Sequence, residues 1–366
     1  MKILHVCAYA ASYEGNFIKS LYALESKMNG IGYETIYAFP EMAKNKGWCR
    51  ELANRANVYF LPMAKARIKL QTYLKLRNIY KKNSDLTIIH THFELYDIPV
   101  VITSPKHVKI FWHLHDAISN NGIKSVIFNK LQYYVLSKNV RLLSVCDFYK
   151  DFVVELGFPE EHAVTILNGI DLERVKPLVS RKVDCYKFLT FGWDYYAKGI
   201  DLILHACKSL SERNNNFSLI LVCNEVMWNS EIFKKYRRFQ WLIKQDFTED
   251  INMLFEKANC FISASRRETF SYAVAEAAYA GLPVISSDIP GLEWAKDIPT
   301  ILHFQSENLN SLYKIMEKMV LGNSSLDDVK MIEAREIIKQ KYSVEIWTDR
   351  IVQQYQNCLL LHPNSN

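Results

Sequence analysis

The sequence predicts an α/β protein made of two doubly wound parallel-sheet domains facing each other across a cleft. Three observations predict it. The chain has 366 residues, and single hydrophobic cores rarely grow past ~250–300 residues. Short apolar, β-branched runs alternate with helix-like stretches through most of its length, the rhythm of βα units and a parallel sheet. One polar stretch with a proline, DLERVKPLVSRKVD at 171–184, breaks that rhythm and reads as an interdomain linker.

The first half offers strand candidates at 2–10, 33–39, 58–62, 86–93, 108–116, 140–146 and 163–170. The rhythm resumes with strands at 186–194, 217–223, 239–243, 260–265, 283–287 and 300–304, a helix near 200–211, and three helical segments that close the chain. No solenoid repeat and no low-complexity segment is visible. In sheets of this kind ligands bind outside the carboxyl ends of the strands.

Composition narrows the class. With 49% hydrophobic and 23% charged residues, the chain reads as an ordinary soluble globular protein. No apolar run approaches the ~20 residues of a transmembrane helix. The opening MKILHVCAYAASYEGN has no signal-peptide cleavage pattern and reads as a first strand. Eight scattered cysteines without a CxxC pair suit buried thiols in a reducing compartment, so a cytoplasmic protein is expected. The net charge of +6 is uneven: residues 1–150 carry +11 and residues 151–366 carry −5. An anionic partner is therefore expected for the first half.

The stretch RETFSYAVAEAAYAGLPVISS at 267–287 carries the most chemistry. Alanine-rich Tyr272–Ala280 predicts a helix, stopped by Gly281 and Pro283, with Thr269 and Ser271 as N-terminal caps. The helix is apolar on all sides and so is expected to be buried. Glu276 shares a face with Ala273, Ala277 and Ala280. A buried, unpaired carboxylate costs several kcal/mol, on the order of a lost charge partner, so Glu276 needs a partner from protein or from ligand.

E268-TFSYAVA-E276 followed by AAYAGLPVISSDIPG resembles the E-x7-E signature of the retaining glycosyltransferases of family 4. The resemblance extends over most of the chain: Gly15 after the first strand, the His115–Asp116 pair, NGID at 168–171, G-x5-KG at 192–199 and YSVEIWTDRIVQQYQ at 342–356. It implies the GT-B fold. Residues 1–172 would form a Rossmann-like acceptor-binding domain and 173–344 a nucleotide-sugar-binding domain, with a helix over 345–366 crossing back to the first.

The resemblance also implies roles. Backbone N–H groups of Thr269, Phe270 and Ser271, at a helix N-terminus, would hold the donor diphosphate. Glu268 would contact the donor sugar, and Glu276 would accept hydrogen bonds from the ribose hydroxyls and so find its partner in the ligand. Lys198 would neutralise the β-phosphate, with Gly192 and Gly199 allowing close backbone approach. Gly15 would approach the phosphates from the other domain, and His115 would line the sugar pocket. Glu268, Lys198 and His115 are thus the catalytic candidates; Gly15, Gly192, Gly199, Thr269, Phe270, Ser271 and Glu276 are donor-binding. Family members carry Arg where this chain has Trp193; Arg266 or Arg267 is a candidate substitute, and a surface position is as good a reading of either.

His90, His92, His113 and His115 form two H-x-H pairs on neighbouring strands. Hydrogen-bonded strand-end histidines are the reading favoured over a metal site, and neither metal nor other cofactor is expected. The lone G30-I-G32 does not open a helix after a strand, which argues against a dinucleotide oxidoreductase. Residues 63–82 hold seven Lys/Arg and no acid, with Ile68, Tyr73, Leu76 and Tyr80 at roughly helical spacing. They read as a solvated basic face or as a docking surface for an anionic membrane; no nucleic-acid motif accompanies them.

The expected activity is metal-independent, retaining hexosyl transfer from a nucleoside-diphosphate sugar to a glycan or glycolipid in cell-surface polysaccharide biosynthesis, cytoplasmic or peripheral at the inner membrane face. The competing classes are a GT-B sugar-nucleotide epimerase and a catalytically degenerate, transferase-like binding subunit.

Overall fold

A computed structural model describes residues 1–118, 123–178, 185–214, 216–322 and 326–360. The chain divides into two compact units. The first comprises Met1–Gly169 and the last described helix, Val344–Leu360; the second is Ile170–Ser343. Part of the expected linker, 179–184, and the end of the expected closing helix, 361–366, lie outside the described residues.

The first unit holds seven parallel strands: β1 (Lys2–Cys7), β2 (Glu34–Pro40), β3 (Val58–Leu61), β4 (Leu86–His92), β5 (Lys109–Leu114), β6 (Val140–Ser144) and β7 (Ala163–Thr165). Their order is β3-β2-β1-β4-β5-β6-β7. The second unit holds β8 (Tyr186–Phe191), β9 (Phe217–Val222), β10 (Leu242–Gln245), β11 (Cys260–Ser263), β12 (Val284–Asp288) and β13 (Ile301–Gln305). Its order, β10-β9-β8-β11-β12-β13, repeats the first six strands of the other sheet. Each unit is therefore Rossmann-like, with a topological switch point where the order reverses, at β1/β4 and at β8/β11.

Burial explains why these runs form strands. β4 and β5 are covered on both faces, so nearly all their side chains are buried, the polar His90, Thr91, His92 and His113 included. The helix Val344–Leu360 supplies one cover: Trp347, Ile351 and Tyr355 pack with Ile3, Ile88 and Phe111. In the second unit Ile200, Ile203 and Leu210, on the helix Ile200–Ser211, pack with Phe188, Leu219 and Ile262 of the sheet.

Two strands differ from expectation. β10 starts at Leu242, because Trp241 stacks between Phe217 and Phe239 and belongs to an aromatic cluster ahead of the strand. β7 stops at Thr165, and the backbone of Ile170 turns to donate to Tyr342 O at 2.8 Å.

The basic segment also needs correction. Its helix spans Leu70–Lys82. Leu76 and Tyr80 are buried, and the Tyr73 hydroxyl donates to Arg67 O at 2.5 Å. The periodic stripe is thus mainly the face that packs into the unit. Ile68, of the expected stripe, lies outside with Met63, Leu70 and Leu74, Ile68 being 79% exposed and Leu70 70%.

Among the described residues all eight cysteines are free, and no helix is long and apolar enough to cross a membrane.

Candidate functional site

In the second unit the switch point gathers the predicted residues. Lys198 and Gly199 follow β8, and Glu268 follows β11. The 194–199 turn is tied by Asp194, whose Oδ1 accepts from the Ala197 N–H at 2.8 Å, and by the Arg266 N–H donating to Ala197 O at 2.9 Å. Gly199 has φ +62°, and a Cβ there would meet Ala264 O at 2.0 Å. Only glycine lets the start of the helix Ile200–Ser211 approach the end of β11 this closely. A Cβ on Gly192 would meet Leu221 Cδ1 at 2.7 Å, so that glycine serves close packing as well.

Glu268 is gripped from two sides. Lys198 Nζ forms a short ion pair with its Oε1, and Ser265 Oγ donates to the same oxygen at 2.8 Å. Lys198 Nζ also sits 4.6 Å from the centre of the Trp193 ring, a cation–π contact. The aromatic side chain in the position where Arg was expected therefore packs on the remaining cation instead of adding a second. These residues, with Ser271 and Ala273, line a small solvent-open hollow of about 40 Å³.

Arg266 is not available as a substitute phosphate ligand. It forms a two-pronged pair with Asp201 at 2.9 and 2.8 Å, reaches Glu307 at 3.0 Å and donates to Tyr196 O at 2.6 Å. Arg267 is exposed.

The loop Thr269–Ser271 leads into the helix Tyr272–Ala280. Ser271 is the N-cap residue, with φ +64° and no side-chain capping bond. Positive φ outside glycine is strained backbone, of a kind that concentrates at ligand-binding turns. Because the Ala275 N–H donates to Ser271 O, the amides left without an intrahelical acceptor include those of Ala273 and Val274. The donors at this helix start thus extend beyond Thr269, Phe270 and Ser271 into the helix itself. Phe270 serves packing: its ring is buried, stacks on Trp294 at 4.7 Å, and its carbonyl accepts from Trp294 Nε1 at 2.8 Å.

Sequence reasoning gave no role to Gly291. A Cβ there would lie 1.9 Å from Glu268 O and 3.0 Å from Thr269 N. Gly291 is the floor under the Glu268–Thr269 peptide, and the IPG at the end of the quoted motif was its only signal.

Glu276 is buried, as expected, but its partner is protein. Arg174 Nε lies 3.1 Å from Glu276 Oε1. Arg174 comes from the segment read as linker, held there by its carbonyl accepting from Asn252 Nδ2 at 3.0 Å. The helix ends at Gly281, φ +88°, where Arg335 donates to the carbonyls of Tyr279 and Ala280.

In the first unit Gly15, φ +58°, opens the helix Gly15–Gly30, which carries Phe17 edge-on against His92 and His115. His115 is buried, its Nε2 3.1 Å from His92 Nδ1. Burial pushes its imidazole pKa down to about 3, so the ring is neutral at physiological pH and suits hydrogen bonding rather than proton donation.

Two Rossmann-like parallel-sheet units with a helix start and a Lys–Glu pair at one switch point define the GT-B class of glycosyltransferases. A family model described as "Glycosyltransferase Family 4" matches residues 35–174, and one described as "Glycosyl transferases group 1" matches residues 186–320. The chain belongs to the family 4 glycosyltransferases. A glycosyltransferase from Rickettsia africae is similar to it in fold, with TM-score 0.80, 17% identity and 98% of both chains covered. So is Anabaena HepE, solved with UDP, with TM-score 0.78, 15% identity, and 98% of this chain and 100% of that one covered. In sequence, one component of the human phosphatidylinositol N-acetylglucosaminyltransferase is 22% identical over 296 residues, 76% of this chain; the chain spans 60% of that relative's length.

Proposed function

We propose that the protein is a retaining, metal-independent hexosyltransferase that takes a nucleoside-diphosphate sugar and extends a glycan or lipid-linked acceptor in cell-surface polysaccharide biosynthesis. The observation that carries this reading is the assembly at the β8/β11 switch point: Lys198, Glu268 and the strained start of the helix Tyr272–Ala280 converge on one hollow. A leaving diphosphate needs positive charge and backbone N–H donors aimed at it, and Lys198 with the first-turn amides would supply both. No nucleophile is required in this reading: the departing phosphate takes the acceptor's proton, and retention follows from attack on the face it leaves.

HepE has been solved with UDP and with UDP-glucose, which supports a uridine nucleotide as the donor carrier here. Glu268 contacts the donor sugar, and Glu276 remains the candidate for the ribose while paired to Arg174. The exposed apolar and basic residues of 63–82 hold the enzyme at the inner membrane face, where a lipid-linked acceptor would be found.

A thermal-shift screen against UDP, GDP, ADP and their sugars tests the donor, because a ligand that binds only the native state raises Tm by mass action. The anomer of the product, read by NMR with and without chelator, tests retention and metal independence. Glu268→Ala and Lys198→Ala should each abolish turnover with the fold intact; wild-type turnover in the double variant would overturn the assignment. A binding protein without turnover is favoured by one observation, that Lys198 is already engaged by Glu268 and Trp193. Donor hydrolysis in the absence of acceptor would exclude it.

A further inference from the structure

On β1, β4 and β5 lies a row of histidines that the proposed transfer does not absorb. His5, His90, His92 and His113 are 0–1% exposed. Parallel register sets His5 beside His90 and His92 beside His113. His92 is bonded at both nitrogens, Nε2 lying 3.0 Å from His5 Nδ1 and Nδ1 lying 3.1 Å from His115 Nε2. His90 Nδ1 lies 2.5 Å from the Tyr355 hydroxyl. Yet His5 Nε2, His90 Nε2 and both nitrogens of His113 are buried with no hydrogen-bond partner. Desolvated polar atoms left unbonded are costly, and His90, whose Nε2 is one of them, has the ring nitrogens of His5 and His92 close by.

We infer that His5, His90 and His92 form a zinc site in the first unit. One ring nitrogen from each lies within 4.8 Å of the others. Tetrahedral zinc with bonds of about 2.0–2.1 Å sets neighbouring ligand atoms roughly 3.3 Å apart, and His5 Nδ1 and His92 Nε2 stand at 3.0 Å already. A neutral imidazole offers a lone pair, and an all-imidazole donor set suits zinc. Metal-bound histidines are fixed through their other nitrogen. Here Tyr355 holds His90 and His115 holds His92 in that way. Tyr355 comes from the helix Val344–Leu360, so the metal would fasten that helix to the sheet. The inference does not rest on the donor or acceptor chemistry proposed above, and the metal takes no part in transfer. Because all three ligands are fully buried, zinc enters while the unit folds rather than afterwards.

The test uses the full chain. Protein unfolded in guanidinium with a chelator is refolded with or without zinc, and metal content and Tm are measured. The expected result is one zinc per chain, a higher Tm after refolding with zinc, and intense visible absorption when cobalt replaces zinc. His90→Gln should lose the metal. Tyr355→Phe, which keeps the ring that packs on Phe111, should weaken zinc binding about 10–100-fold. Refolded wild type that holds no zinc, or zinc retained equally by His90→Gln, would overturn the site and leave a hydrogen-bonded imidazole row.

Discussion

Arg174 Nε and Glu276 Oε1 stand 3.1 Å apart, joining residues 102 positions distant in the chain. The contact separates two roles for the same carboxylate. If Glu276 serves only the ion pair, replacing it should affect stability and leave nucleotide binding alone. If it also accepts from ribose, Glu276→Gln should weaken UDP binding about tenfold or more, the scale of a hydrogen bond to a charged group, while Arg174→Leu should not. Arg174→Leu removes the cation paired to a buried carboxylate and should cost about 3 kcal/mol, the lower end for a broken buried pair because Arg174 is partly exposed. Isothermal titration with UDP and chemical denaturation of both variants decide between the roles.

Gly291 offers a test of positioning. A Cβ placed 1.9 Å from Glu268 O forces the Glu268–Thr269 peptide to move, and a displacement of about 1 Å in a catalytic group can cost 100-fold in rate. Gly291→Ala should therefore lower kcat about 100-fold with a smaller effect on donor KM. Steady-state kinetics that match wild type would show that the loop relaxes without moving the carboxylate.

The legible parts of this protein are those that local chemistry dictates. Most strands were readable because a strand buried on both faces is rich in apolar and β-branched residues, and Gly281 marked a helix end because left-handed backbone at a C-cap favours glycine. Long-range relationships were not readable. Arg174 sits in a polar segment whose destination depends on the fold of Asn252 and its neighbours, so nothing near it in sequence pointed to Glu276. The H-x-H pairs showed that each strand carried two rings on one face. That they align with His5 follows from strand order and register, which no single strand encodes. In the basic segment periodicity correctly found a helix face, but the apolar stripe of an amphipathic helix is ordinarily the packed one. The exposed leucines escaped notice because they fall off that stripe.

Those leucines make the membrane proposal specific. Ile68, Leu70 and Leu74 are exposed beside Lys65, Lys69 and Arg77, a combination that suits insertion into an anionic interface. Leu70→Asp/Leu74→Asp should lower co-sedimentation with anionic vesicles more than tenfold, with the Tm held within about 1 °C because neither side chain packs in the core. Neutral vesicles should bind weakly, and added salt should release the protein from anionic ones. Equal binding by the double variant would show that this face does not dock.

Asp97 predicts how the first unit responds to pH. Its carboxyl is buried, accepts from the Thr91 hydroxyl at 2.5 Å, and lies 3.5 Å from Gln132 Nε2. Burial chiefly raises its pKa from 3.8 to about 7, opposed by the Thr91 bond and by Arg67 and reinforced by Glu94. The folded state therefore holds a proton that the unfolded chain releases near pH 4. The stability this contributes is fully present below about pH 4 and is lost as pH rises through 7. The slope is about 1.4 kcal/mol per pH unit, and the total is on the order of 4 kcal/mol. Asp97→Asn keeps the shape and removes the charge. The difference in unfolding free energy between wild type and variant should thus be flat below pH 4, then move steadily in favour of the variant up to pH 7. Taking the difference cancels the titration of the buried histidines, which occurs in both proteins. A difference that stays flat from pH 4 to 8 would mean that the carboxyl ionises in the folded protein as it does in water, and that this part of the unit admits solvent.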